Sequence, residues 1–284
     1  MKSDQPFKYF SLLSVWLWFF IFALLPFCLI VVASFLSHGE TRLINLPFTL
    51  NNYQQLYNPI YIRIFEKSFL IAGFTTFACL ILGYPFAYII ARMQSQWKNL
   101  FILLVIIPFW TSSLIRSYAL IALIKAKGII NTLLLALGLI QQPIAILFTN
   151  YAVLIGLIYN LLPFMILPIL TNVERLDHRL VDAAYDLGAN KFTTFKKVII
   201  PLTLPGIIAG SIMVFLPAMT LFYISDILGG AKSMLLGNLI QNQFLITQNW
   251  PMGSAISTVL TFVLVTLILI YVWVNRGNKK REWL

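Results

Sequence analysis

Long apolar runs separated by short polar stretches set the pattern of this chain. Six of them reach the roughly 18 to 20 residues that a helix needs to cross about 30 Å of hydrocarbon. They fall near Phe10–Leu36, Phe69–Ala91, Leu100–Leu123, Ile144–Leu170, Pro205–Leu228 and Gly253–Val274. Backbone in lipid must satisfy its own hydrogen bonds, so the pattern predicts an all-α integral membrane protein with six transmembrane helices. The first run follows Lys2 and Lys8 and lacks a small-residue cleavage site, which reads as an uncleaved anchor.

One polar stretch, Glu174 to Lys191 and on to Pro201, holds four of the nine carboxylates and five of the twenty Lys and Arg. It belongs in water. Leu176, Leu180, Ala183, Ala184 and Leu187 recur at the spacing of a helix with one apolar stripe. Gly188 falls where a helix ends on a left-handed residue. Asn190 can cap a second short helix carrying Phe192, Phe195 and Val198 on one side, and Pro201 is expected to stop it. Two short helices joined by a glycine elbow, lying at a membrane surface, are the expected result.

Composition agrees. With 60% apolar and 10% charged residues the chain cannot clothe a soluble domain. Charge then fixes the orientation. With the N-terminus inside, thirteen Lys and Arg fall on the inner side: Lys2, Lys8, Arg92, Lys98, the five of the polar stretch, Arg276, Lys279, Lys280 and Arg281. Six fall outside (Arg42, Arg63, Lys67, Lys125, Lys127, Lys232), with Arg116 in or near the third run. The positive-inside rule places both termini and the polar stretch in the cytoplasm. The net charge of +11 follows from this asymmetry and from anionic membrane lipid, and points away from a nucleic-acid partner. Cys28 and Cys79 lie in apolar runs without metal-ligand spacing.

Candidate chemistry is sparse. Asp226 is the one carboxylate within or at the edge of a run, three residues after Tyr223. A carboxylate there seeks a cation, because an ionised Asp at mid-bilayer costs about 2.5 to 3.5 kcal/mol. Asp226 and Tyr223 would suit an ammonium group, with Trp110 and Tyr118 offering further aromatic faces. Alternatively Asp226 caps the turn before Gly229-Gly230 or pairs with Arg116. Pro108, Pro163, Pro168 and Pro217 interrupt runs three to five and either line a pathway or shape packing. The outer segment 37–66, rich in Asn, Gln and Tyr, is either a wet protein contact or a plain connection. The loop after Lys125 suggests a short helix beyond Gly128. No phosphate loop, catalytic constellation, metal cluster or cofactor motif appears, so the chain is not expected to be an enzyme.

The polar stretch carries a family likeness. Asp182-Ala183-Ala184, three residues, Gly188, nine residues, then Val198-x-Ile200-Pro201 resembles the loop written E-A-A-x3-G-x9-I-x-L-P in binding-protein-dependent ABC importer permeases. Asp182, Val198 and Ile200 depart conservatively from that pattern. The resemblance implies that Asp182, Ala183, Ala184, Gly188, Ile200 and Pro201 form a cytoplasmic coupling loop between helices four and five. It also implies a type I transmembrane domain over 67–275, preceded by an anchor and periplasmic segment over 1–66 and followed by a basic tail over 276–284. Implied partners are two copies of an ATP-binding subunit, a second homologous permease and a periplasmic substrate-binding protein, in a bacterial inner membrane. The runs 108–116, 161–165 and 199–232 are similar to the spermidine/putrescine permeases within that family, which implies a polyamine substrate. A sibling importer for ferric iron, sulfate or an opine is the nearest alternative. A secondary transporter would call for inverted repeats and a proton-relay carboxylate, and neither is present.

Overall fold

The computed structural model describes residues 5–39, 44–230 and 233–279. Lys2, Arg42, Lys232, Lys280 and Arg281, which enter the charge count, lie outside them, as does the end of the expected tail. Every regular element among the described residues is helical. The chain divides into two compact units, Met1–Ile62 with Leu239–Leu284, and Arg63–Asn238.

In the first unit α1 (Gln5–Phe19) and α2 (Leu25–Ser34) make one rod, interrupted by a π-turn at Phe20–Leu24. Pro26 accounts for the interruption: it sits in the first turn of α2, where a missing N–H breaks no helical bond. Side chains from Leu12 to Ile30 are all exposed, as befits a helix solvated by lipid. The chain then folds back into α3 (Asn51–Gln55). Asn52 is buried there and its Nδ2 donates to Ser34 O (2.9 Å) and Leu36 O (2.8 Å), satisfying carbonyls at and beyond the end of α2. Tyr53 OH meets Ser34 Oγ at 2.7 Å. These two polar side chains of the outer segment therefore serve the fold. A final helix, written α14 below (Trp250–Lys279), packs on α2 and α3.

The second unit holds most of α4 (Pro59–Ala91), then α5 (Ser95–Trp110), α6 (Ser113–Ile124), α7 (Ile129–Ala136), α8 (Asn150–Glu174), α9 (His178–Asp186) and α10 (Lys191–Thr194). A π-turn at Phe195–Ile199 leads into α11 (Ile200–Thr220), followed by α12 (Phe222–Gly229) and the start of α13 (Leu236–Gln241). Its core is the pair α8 and α11. Gly206 and Gly210, four apart on α11, let the helices approach closely. A Cβ on Gly206 would lie 2.8 Å from Pro168 O, and one on Gly210 would lie 3.1 Å from Met165 O. Leu157, Met165, Ile169, Met219, Ile224 and Leu228 are fully buried around this pair. Tyr84 OH meets Thr203 Oγ1 at 2.9 Å and ties α4 to α11.

Among the described residues six helical stretches are long and apolar enough to cross a membrane: Leu12–Ser34, Pro59–Ala91, Ser113–Ala136, Asn150–Glu174, Lys191–Thr220 and Trp250–Leu269. Two expected spans need correction. The run Leu100–Leu123 is not one helix, because Thr111 and Ser112 are extended (ψ 143° and 130°) and split it into α5 and α6. The 16 residues of α5 give about 24 Å, short of the hydrocarbon thickness; the stretch long and apolar enough by composition is Ser113–Ala136, which itself turns at extended Lys125 and Gly128 between α6 and α7. The run Pro205–Leu228 likewise breaks at Leu221 (ψ 76°), which leaves Asp226 on a separate short helix. Each break follows a proline, Pro108 or Pro217, by three or four residues. In contrast α8 continues through both Pro163 and Pro168.

Candidate functional site

The polar stretch folds much as its residues dictate. Asp177 Oδ1 accepts from Arg179 N at 3.0 Å at the start of α9, and Asn190 Oδ1 accepts from Thr193 N at 2.8 Å at the start of α10. Gly188 has φ +79°. Around it Gly188 N donates to Tyr185 O (2.9 Å) and Ala189 N to Ala184 O (3.0 Å), the paired bonds that close a helix on a left-handed residue.

One feature differs from expectation. Pro201 does not stop the second helix. The π-turn at Phe195–Ile199 places Pro201 in the first turn of α11, where its missing N–H costs nothing, and helix runs on from Lys191 to Thr220. The apolar stripe of α9 is mostly uncovered. Val181 is the buried side chain (4% exposed), while Leu180, Ala183 and Leu187 are exposed, Leu187 at 88%. Phe192 on α10 is exposed as well. Asp182, Ala183, Gly188 and Pro201 thus lie at the surface, and Ala184 and Ile200 are half-buried.

The stretch is tied firmly to the helices beneath it. The Phe195 ring packs edge-on against Tyr84 (5.6 Å) and Tyr88 (6.0 Å) of α4. Lys98 Nζ meets Glu174 Oε1 at 2.8 Å, joining the start of α5 to the end of α8.

A second feature lies where α5 and α11 break. A cavity of about 220 Å³ is lined by Phe109, Ser113, Arg116, Asn160, Leu161, Phe164, Pro217, Leu221 and Tyr223. Phe109 and Phe164 meet edge to face at 4.9 Å. Two polar atoms here are buried without a hydrogen-bond partner, Arg116 Nε and Asn160 Oδ1. The Arg116 guanidinium lies 5.9 Å from the centre of the Tyr159 ring.

The structure brings only one of the three expected pathway residues to this cavity, Tyr223. Trp110 is 81% exposed beside it, at the end of α5. Asp226 is exposed on α12, where its carboxylate accepts from Asn238 Nδ2; Asn238 also donates to Phe222 O at 3.0 Å. No ion pair between Asp226 and Arg116 forms among the described residues. The sequence reading passed over Asn160. An amide in the middle of an apolar run was a readable signal, since such groups in lipid need a partner.

Residues 83–282 match the family described as binding-protein-dependent transport system inner membrane component. The chain is 46% identical over 280 residues to the spermidine/putrescine transport system permease protein PotB of Haemophilus influenzae, covering 98% of each. It is 48% identical over 266 residues to the protein of that name in Escherichia coli K12, covering 93% of this chain and 97% of the relative. Similarity extends to the E. coli inner membrane ABC transporter permease protein YdcU, 33% identical over 79% of this chain and 75% of that one. Among solved structures, a bacterial ABC transporter involved in import of the acidic polysaccharide alginate matches with a TM-score of 0.74 at 17% identity, over 97% of this chain and 96% of the other.

Proposed function

The chain belongs to the family of binding-protein-dependent transport system inner membrane components, and from that premise we propose that it is the permease of an ATP-driven polyamine importer. Spermidine and putrescine are its substrates in this reading. The observation that carries it is similarity of 46 to 48% along nearly the whole chain to permeases of that name.

The remaining parts of the importer follow the same logic. ATP is hydrolysed by two copies of a separate subunit, and this chain forms half of the path with a second permease. The uncovered face of α9, with Leu180, Ala183 and Leu187, suits a cleft on the ATPase, because exposed apolar side chains rimmed by charge mark a protein contact. Closure of the ATPases moves α9, and the Phe195 packing and the Lys98–Glu174 pair carry that motion into α4, α5, α8 and α11. The bundle then switches between inward and outward opening as a two-state element. A periplasmic binding protein delivers the solute from the other side, and both termini are cytoplasmic. Asp226, exposed on α12, adds negative charge toward that side.

One observation favours a second reading. Arg116 carries the one formal charge among the residues lining the cavity, which would suit an anionic solute.

The test is uptake of labelled spermidine and putrescine by cells lacking their own importers and supplied with this chain and its partner subunits. Saturable uptake that requires this chain is expected. Uptake of an anion such as sulfate, with none of polyamine, would replace the reading by the second.

A further inference from the structure

Asn160 lies on α8 with 4% of its surface exposed. Its Nδ2 is occupied by Gly156 O at 2.9 Å, one turn back on the same helix. Asn160 lines the cavity, and its Oδ1 is buried without a hydrogen-bond partner. A buried acceptor left open costs free energy, and a helix in lipid gains nothing from it unless a donor arrives. Around it the walls are Phe109, Phe164, Leu161 and Tyr223, which suit a methylene chain and the face-on approach of a cation. A protonated amine is a donor with no acceptor lone pair. Arg116, its Nε buried and unpartnered, lines the same cavity, and its charge opposes an ammonium there.

We infer that Asn160 is this chain's recognition residue for one ammonium group of the solute, and that Arg116 keeps that hold weak and single-ended. The inference rests on the polyamine reading above. Oδ1 accepts a charge-assisted hydrogen bond from the ammonium, and the carbon chain lies along the aromatic walls. A second ammonium placed beside the first would meet the guanidinium, so the cavity takes one end of the solute. Weakness has a use here: a transport site that cannot release its cargo blocks the path.

The experiment measures the KM and maximal rate of spermidine uptake by the complete importer in cells. Asn160→Leu is expected to raise KM about tenfold or more, the loss of one hydrogen bond to a charged group. Arg116→Met is expected to lower KM about threefold and to lower the maximal rate, because release becomes slower. Damage to packing would not move two neighbouring variants in opposite directions. Co-purification of the ATPase shows that each variant is assembled; if Asn160→Leu fails that check, Asn160→Ala carries the same expectation. Polyamine uptake by the wild type with KM unmoved in both variants, as a cavity that merely holds water would give, overturns this assignment alone. KM shifted in the same direction by both also overturns it. Absence of polyamine uptake by the wild type overturns the reading beneath it.

Discussion

A single backbone angle governs the elbow of the polar stretch. At Gly188, φ is +79°, while a Cβ there would meet no atom within 4 Å. Space is therefore not the constraint; conformation is. An L-residue in this left-handed region costs about 1 to 2 kcal/mol, less for Asn, whose side chain supports it locally. If α9 must hold a fixed angle to transmit motion, polyamine uptake should rank Gly188→Asn above Gly188→Ala, and Gly188→Val lowest, at equal amounts in the membrane. Equal loss in all three would mean that the surface at 188, rather than its backbone, is what the ATPase reads. The open Asn160 acceptor shows the opposite case: there the backbone is ordinary helix, and only side-chain chemistry marks the position.

At the level of elements, the decisive contact is the close approach of α8 and α11. Gly210 faces the Met165 carbonyl, and backbone cannot yield as a side chain can. Gly210→Val should cost about 1 to 3 kcal/mol by overpacking, read as a lowered midpoint of thermal unfolding in detergent. Gly73→Ala on α4, where a Cβ meets nothing within 4 Å, is the control and should lose no stability. A drop for Gly73→Ala as large as that for Gly210→Val would mean that the α8–α11 approach is not what glycine protects. The same scale shows what was legible beforehand. The caps at Asp177, Gly188 and Asn190 obey local rules, so the elbow could be read from residue types alone. The breaks at Thr111 and Leu221 were legible in part: Pro108 and Pro217 signal interruptions, but so do Pro163 and Pro168, through which α8 continues, and residue type alone does not say which proline breaks a helix. Pro201 misled because a local stop signal was absorbed by a π-turn just before it. The stripe of α9 was legible as a face, since periodicity shows which residues share it, but not what covers it.

For the whole molecule, the coupling role turns on which side of the membrane holds α9. The count of thirteen basic residues against six assigns it to the cytoplasm by a rule about insertion. That assignment can be read directly. With Cys28 and Cys79 replaced by Ala, one chain would carry Ala183→Cys, on the exposed face of α9, and another Gln55→Cys, exposed at the end of α3. A membrane-impermeant maleimide added to spheroplasts should label the cysteine at 55 and spare that at 183, and inside-out vesicles should give the reverse. The coupling assignment stands or falls with this pattern, because an ATP-hydrolysing subunit can grip Leu180, Ala183 and Leu187 only from the compartment that holds ATP. Labelling at 183 from outside would strip α9 of that role while leaving the cavity around Asn160 to be tested on its own.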